Sequence, residues 1–404
     1  MNFTHFTLPR AQTLLRTGLF AFILAGCGGG VDSGGTGGAA TYASGPITGS
    51  GSIIVNGVRF DDSTATVSDD DGSTGRSKDD LKLGMVVEVR GSAISTDTAG
   101  DKSSTASSIS FNSELVGRID SIDPLVPHQS MVVFGQAVAI TSTTVFEDSL
   151  VGGSAALAQG NVVEVYALFD AAAGSYTATR VERKSNTLLE FRLLRDSDFR
   201  LRGKVSSFDG VTRAFNIGTE RISYAAGLNP PAGLADGSIV RVRVNSGGVN
   251  HAWTATRLGE GSSRPDDGSQ ARVEGLISQF TSQSQFTVGT VQVTTGAGTV
   301  VSGIPALGVR VEVEGTMGAT ALAANSVSVE AESGNTENRF VGPISSFNSG
   351  AKTFVVKGQT ISYAGTPQYQ NGSETNLRDG ANVDVRATLV NGNQFQATRI
   401  TFKN

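Results

Sequence analysis

The sequence predicts an all-β chain of five small tandem barrels, and three observations lead there. Three short signals recur five times in fixed order. The segments around them alternate apolar and polar residues with period 2. No stretch sustains a convincing helical period. Each unit reads as about five strands, for which an OB-like barrel is the first expectation and an SH3-like barrel the alternative, because closure removes exposed edges.

The first signal is a glycine-led strand: GPIT at 45–48, GRIDSI at 117–122, GKVSSF at 203–208, GLISQF at 275–280 and GPISSF at 342–347. A hairpin follows. In the first copy it reads IIVNGVRF at 53–60, where Asn56-Gly57 between β-formers favours a type I′ turn. Gly135, Gly218, Gly289 and Gly358 hold the matching place in the other copies. The second signal is a turn glycine before a valine-rich strand: LKLGMVVEV at 81–89, LAQGNVVEV at 157–165, LADGSIVRV at 234–242, and copies centred on Gly308 and Gly380. The valines alternate with a charge (Glu88, Glu164, Arg241, Glu312, Asp384), which reads as a solvated outer face. The third signal closes each unit: ASSI at 106–109, ATRV at 178–181, ATRL at 255–258, ANSV at 324–327 and ATRI at 397–400.

These signals divide the chain into units at 45–112, 113–187, 199–261, 270–332 and 338–404. Units of this size hold small cores, so neighbours along the chain are expected to pack into a rod. Residues 188–198 fit a short helix or a strand between units two and three.

Residues 1–26 read as a secretory signal, with Arg10 and Arg16 before a short apolar run, GLFAFILAG at 18–26. The run is too short to span a bilayer, which needs about 20 residues. The segment LAGC at 24–27 resembles a bacterial lipobox. That resemblance implies cleavage before Cys27 and a covalent lipid on it, and the chain's one cysteine stands there. Two or three acyl chains anchor stably. Gly28 after the cysteine implies outer-membrane sorting, facing the periplasm or the cell surface. Residues 27–44 form a glycine-rich tether. The repeat itself resembles the domain of unknown function 5666 family of bacterial lipoproteins, whose members often carry several tandem copies behind a lipobox. It implies a fold but no activity and no catalytic residues.

Composition narrows the function. A net charge of −5 argues against nucleic-acid binding through bulk charge. One cysteine excludes an internal disulfide, and His128 and His251 lack partners at metal-ligand spacing. No Gly-x-Ser-x-Gly elbow or P-loop is present, so no enzymatic activity is expected. The aromatic column of Tyr176, Trp253 and Phe395 reads as packing. Seven aspartates crowd residues 61–80. Among them Asp69, Asp70 and Asp71 are calcium candidates, with a solvated loop as the competing reading. Arg180, Arg257 and Arg399 share one column of the closing strand. They either line a groove for an acidic ligand or pair with the charged column of the valine strand. The expectation is therefore a non-enzymatic, lipid-anchored envelope scaffold, spacer or adhesion module. Its expected partners are the bilayer and an envelope protein or surface glycan. The alternative is a binder of glycans or divalent cations. The sequence leaves the oligomeric state open.

Overall fold

The computed structural model of the chain describes residues 39–69, 76–194, 198–247, 250–261, 263–330, 337–390 and 392–403. Cys27, the signal and the tether up to residue 38 lie outside them, as do Asp70 and Asp71.

Five strands close barrel 1. Thr41–Ser50 pairs antiparallel with Ile53–Val55 and with Val86–Gly91. Ile53–Val55 turns into Val58–Asp61, which runs parallel to Lys102–Phe111, and that strand returns antiparallel to Val86–Gly91. The order is 1-2-3-5-4-1, with a parallel contact between strands three and five. That parallel contact is the OB arrangement, so the OB-like reading holds over the SH3-like one.

The same circuit recurs in barrel 2, from Leu115–Ile122 to Ser175–Ser185, and in barrel 3, from Phe199–Asp209 to Ala252–Glu260. It recurs again in barrel 4, from Gln270–Ser282 to Leu322–Val329, and in barrel 5, from Glu337–Asn348 to Phe395–Phe402. Between barrels 2 and 3, Leu188–Arg192 forms a short helix capped by the Thr187 side chain.

Each sequence signal has a physical cause. The leading glycine lies where the hairpin folds back over the opening strand. A Cβ on Gly117 would stand 2.7 Å from the Phe134 Cβ, and one on Gly275 would stand 3.0 Å from Val288. The turn glycine before the fourth strand is left-handed in all five copies, with φ between 76° and 93°. The Asn56-Gly57 turn has φ of 49° and 70°, as a type I′ turn requires.

The closing signal marks a β-bulge. In every barrel the pairing of strands four and five slips by one residue just after its alanine, at Ser107, Thr179, Thr256, Asn325 and Thr398. The hydroxyls of Ser107, Thr256 and Thr398 donate back to carbonyls of the facing strand, at 3.0, 3.3 and 3.0 Å. The alanine beside each bulge is buried, a small residue where the kinked strand bends inward.

The barrels do not stack in chain order, which corrects the expected rod. Barrels 2 and 3 pair through Leu115–Val116 and Arg200–Leu201 and share one apolar core. Barrel 1, however, lays its opening strand parallel to barrel 4 over residues 41–44 and 270–273. It continues against barrel 5 at Gly49–Ser50 and Arg339–Phe340. Barrels 1 and 5 share a second core, and most of barrel 4 forms a third. A parallel strand edge left free by one barrel is satisfied by another far away in sequence.

Candidate functional site

The residues singled out in the sequence do not converge. Asp69 is buried and accepts from Arg76 Nε at 2.9 Å, a carboxylate held by a cation rather than open to calcium. Among the described residues, no group of three or more His, Cys, Asp or Glu is gathered as a metal centre. Arg180, Arg257 and Arg399 lie on three barrels. Arg180 is buried, pairs with Glu182 at 2.7 Å and donates to the Leu83 carbonyl of barrel 1 at 3.1 Å. Arg257 is exposed opposite Arg243, and Arg399 is half-buried opposite Arg386. The arginine column therefore does not face the charged column of the valine strand.

That charged column is not a solvated face either. Glu164 and Asp384 are 8 % and 6 % exposed, because the outer surface of one barrel is the contact surface of the next. Glu164 meets Lys184 at 2.9 Å and Arg200 of barrel 3 at 3.6 Å. Burial alone would raise its pKa, but these two cations overrule it and hold the carboxyl low. Glu114, 2 % exposed, joins Arg202 and Arg241 of barrel 3 at 3.1 and 3.2 Å. Arg339 of barrel 5 clasps Asp384 at 2.7 Å and Asp101 of barrel 1 at 2.9 Å.

A second lattice lies at the seam of barrels 1 and 4. Arg272 pairs with Glu312 at 3.0 Å and with Glu314, and donates to the Asn56 carbonyl at 2.8 Å. The Asn56 amide donates in return to the Arg272 carbonyl at 3.0 Å. Arg310 bonds Glu274 at 2.7 Å. Glu274 and Glu312 face each other across the strands, two like charges in register. Burial, with Glu274, Glu330 and Glu314 nearby, pushes the Glu312 carboxyl up to about 7 against the pull of Arg272. A carboxyl raised on folding stabilises the fold fully below its ordinary pKa and loses that contribution as the pH rises through its folded value. Glu312→Gln should therefore leave thermal stability at pH 4.5 nearly unchanged. At pH 8 it should raise stability by roughly 2 kcal/mol, since each tenfold change in proton affinity is worth about 1.4 kcal/mol and solvent screens part of the effect. Equal changes at both pH values would show that Glu312 is not held protonated.

A cavity of about 440 Å³ opens where the hairpin turns of barrels 2 and 3 meet. Glu220 begins the third strand of barrel 3 and is 1 % exposed. Its carboxylate lies 2.6 Å from His251 Nδ1 and also accepts from the Trp253 indole N–H and, at 3.0 Å, from the Thr219 hydroxyl. The hydrogen bond to Glu220, then its charge, raises the pKa of the exposed His251. Trp253 meets Phe134 of barrel 2 edge-on at 4.7 Å and Phe199 at 5.5 Å. Arg118 pairs with Asp120 at 3.1 Å, and Arg192 donates to the Ser246 carbonyl at 2.6 Å. Three non-glycine residues here are left-handed: Phe134, Asn250 and His251, with φ of 48°, 51° and 58°. For a bulky residue that conformation costs on the order of 1–3 kcal/mol and persists only where the surroundings enforce it.

A family model described as "Domain of unknown function (DUF5666)" matches residues 44–98, 116–182, 274–328 and 341–401. The chain belongs to the DUF5666 family. No curated protein matches it significantly. The solved structure "drosophila Unr CSD456" aligns at 12 % identity over 50 % of this chain and 96 % of that one. Its TM-score of 0.14 is too low to carry an argument.

The four DUF5666 matches leave out barrel 3, which closes with the same pairings but differs at the cavity. At the Glu220 position the other copies carry Val58, Gln136, Val291 and Gln359. Opposite it, where barrel 3 has His251, stand Lys102, Gly174, Thr320 and Asn393. The aromatic column is buried at Tyr176 and Phe395 but only half-buried at Trp253. Read alone, the sequence treats Trp253 as packing and His251 as partnerless. The signal that points to the site is the carboxylate just after the barrel 3 hairpin, where the other copies have apolar or amide side chains.

Proposed function

We propose that this DUF5666 protein is a non-enzymatic, lipid-anchored scaffold of the outer membrane. The observation that carries this reading is the backbone pairing of barrel 1 with barrels 4 and 5, which ties residues 41–50 to strands more than two hundred residues away. Barrels joined by strand pairing and buried ion pairs make a block that holds its surfaces in fixed relation. Such a block suits docking or spacing within the envelope. The lipobox-like LAGC ending at Cys27 and the glycine-rich stretch after it supply an anchor and a tether.

Two measurements test the proposal. The native protein should partition into the detergent phase and Cys27→Ser into the aqueous phase, with no loss of thermal stability. If both partition alike, the lipid anchor is wrong. Protease shaving of intact cells, with a periplasmic protein as control, then assigns the face: digestion means the cell surface, and protection until permeabilisation means the periplasm. Digestion to separate single barrels would count against a rigid scaffold, since the fused barrels should resist cleavage together.

A further inference from the structure

We propose that the cavity between barrels 2 and 3 binds an acidic saccharide, a sugar unit bearing a carboxylate. This goes beyond the scaffold reading and does not depend on where the chain is anchored.

Four observations argue for it. First, at about 440 Å³ the cavity falls in the range of small-ligand sites, about 300–1,000 Å³. Second, one aromatic wall is opened only here. The column that is core in barrels 2 and 5 is half-exposed at Trp253. The Trp253 ring is fixed by its N–H bond to the buried Glu220 and by its edge-on contact with Phe134. A fixed indole offers an apolar surface to the C–H face of a sugar ring while polar groups take the hydroxyls.

Third, the rim is rich in donors. Arg118, Arg192, Asn250 and His251 all line the cavity. Fourth, one cation is left without a carboxylate partner among the cavity's lining residues. Arg118 pairs with Asp120, and His251 bonds Glu220. Arg192 is bound to the carbonyl of Ser246, which does not neutralise it. The site therefore holds a planar guanidinium at its mouth, suited to a carboxylate through two parallel hydrogen bonds.

Single-stranded nucleic acid fits less well. It requires successive stacking platforms along a basic groove. Here one tryptophan faces the cavity, and the whole chain carries −5.

The test uses a probe built into the protein. Trp253 is the single tryptophan of the chain, so intrinsic tryptophan fluorescence reports on this cavity alone. The purified protein would be titrated with oligogalacturonate, maltooligosaccharide and an oligodeoxythymidine. The expected result is a saturable fluorescence change with oligogalacturonate, at least tenfold weaker with the neutral sugar. Arg192→Ala should weaken uronate binding tenfold or more while lowering the melting temperature only slightly, because the exposed Arg192 gives up little beyond its bonds to the Ser246 carbonyl. Calorimetry of Trp253→Phe, which keeps an aromatic ring, should show weakened but detectable binding. The proposal is overturned if neither fluorescence nor calorimetry registers the uronate, or if Arg192→Ala binds it as well as the native protein. It is equally overturned if maltooligosaccharide or oligodeoxythymidine binds more tightly than the uronate.

Discussion

Arg272→Ala should destabilise the protein by about 3–5 kcal/mol, the loss typical when one partner leaves a buried ion-pair network. Arg272 is 5 % exposed and serves two carboxylates, Glu312 and Glu314, as well as the Asn56 carbonyl across the seam. Alanine leaves Glu312 without its cation and facing Glu274, and leaves Glu314 only Lys102 at 3.4 Å. The loss should depend on pH in a definite direction. Without Arg272, the Glu312 carboxyl should rise further above its ordinary value. The variant should then be least stable at pH 8 and approach the native protein near pH 4.5, where the carboxyls take up protons. Adding Glu312→Gln to Arg272→Ala should restore more than 1 kcal/mol at pH 8, since it removes the stranded charge. A cost below 1 kcal/mol, or one independent of pH, would show that the seam does not depend on this lattice.

The same lattice marks where sequence reasoning stops. Alternation of valine and charge assigns Glu164, Glu312 and Asp384 to the outside of a barrel, and they are there. Whether that outside meets water depends on the next barrel. Here barrel 1 touches its chain neighbour through side chains, as at Arg180 and Leu83, but pairs its opening strand with barrels 4 and 5. Periodicity within a strand carries no information about contacts between distant strands. The glycines were legible for the opposite reason. A left-handed turn at Gly84 or a close approach at Gly117 is dictated locally and repeats wherever the motif repeats.

The cavity falls between these cases. Glu220 and His251 are 31 residues apart and meet because the third and fifth strands run parallel. Once that pairing is assumed, repeat alignment puts them opposite each other and shows that barrel 3 alone has an acid facing an imidazole. Phe134, which completes the wall, comes from barrel 2. Only the shared core of the two barrels brings it there.

Gly117→Val tests both the fold and this wall. By strand propensity alone, valine should be welcome at an interior strand position. The geometry requires the opposite. A Cβ there would approach the Phe134 Cβ to 2.7 Å, and that atom is fixed to the backbone of a tight left-handed turn and cannot rotate away. The turn must shift, at a cost of roughly 3 kcal/mol, the upper range for overpacking. That corresponds to about 6–12 °C in melting temperature for a core spanning barrels 2 and 3. Because Phe134 rests on Trp253, the emission of the single tryptophan should change in the folded variant, before any unfolding. Phe134→Gly removes the clashing Cβ and suits the left-handed turn, but loses the ring contact. Its cost in the Gly117→Val background should therefore be at least 1 kcal/mol smaller than in the native protein, as coupled neighbours require. Additive costs, or an unchanged emission spectrum, would mean that the leading glycine is not there to admit the hairpin.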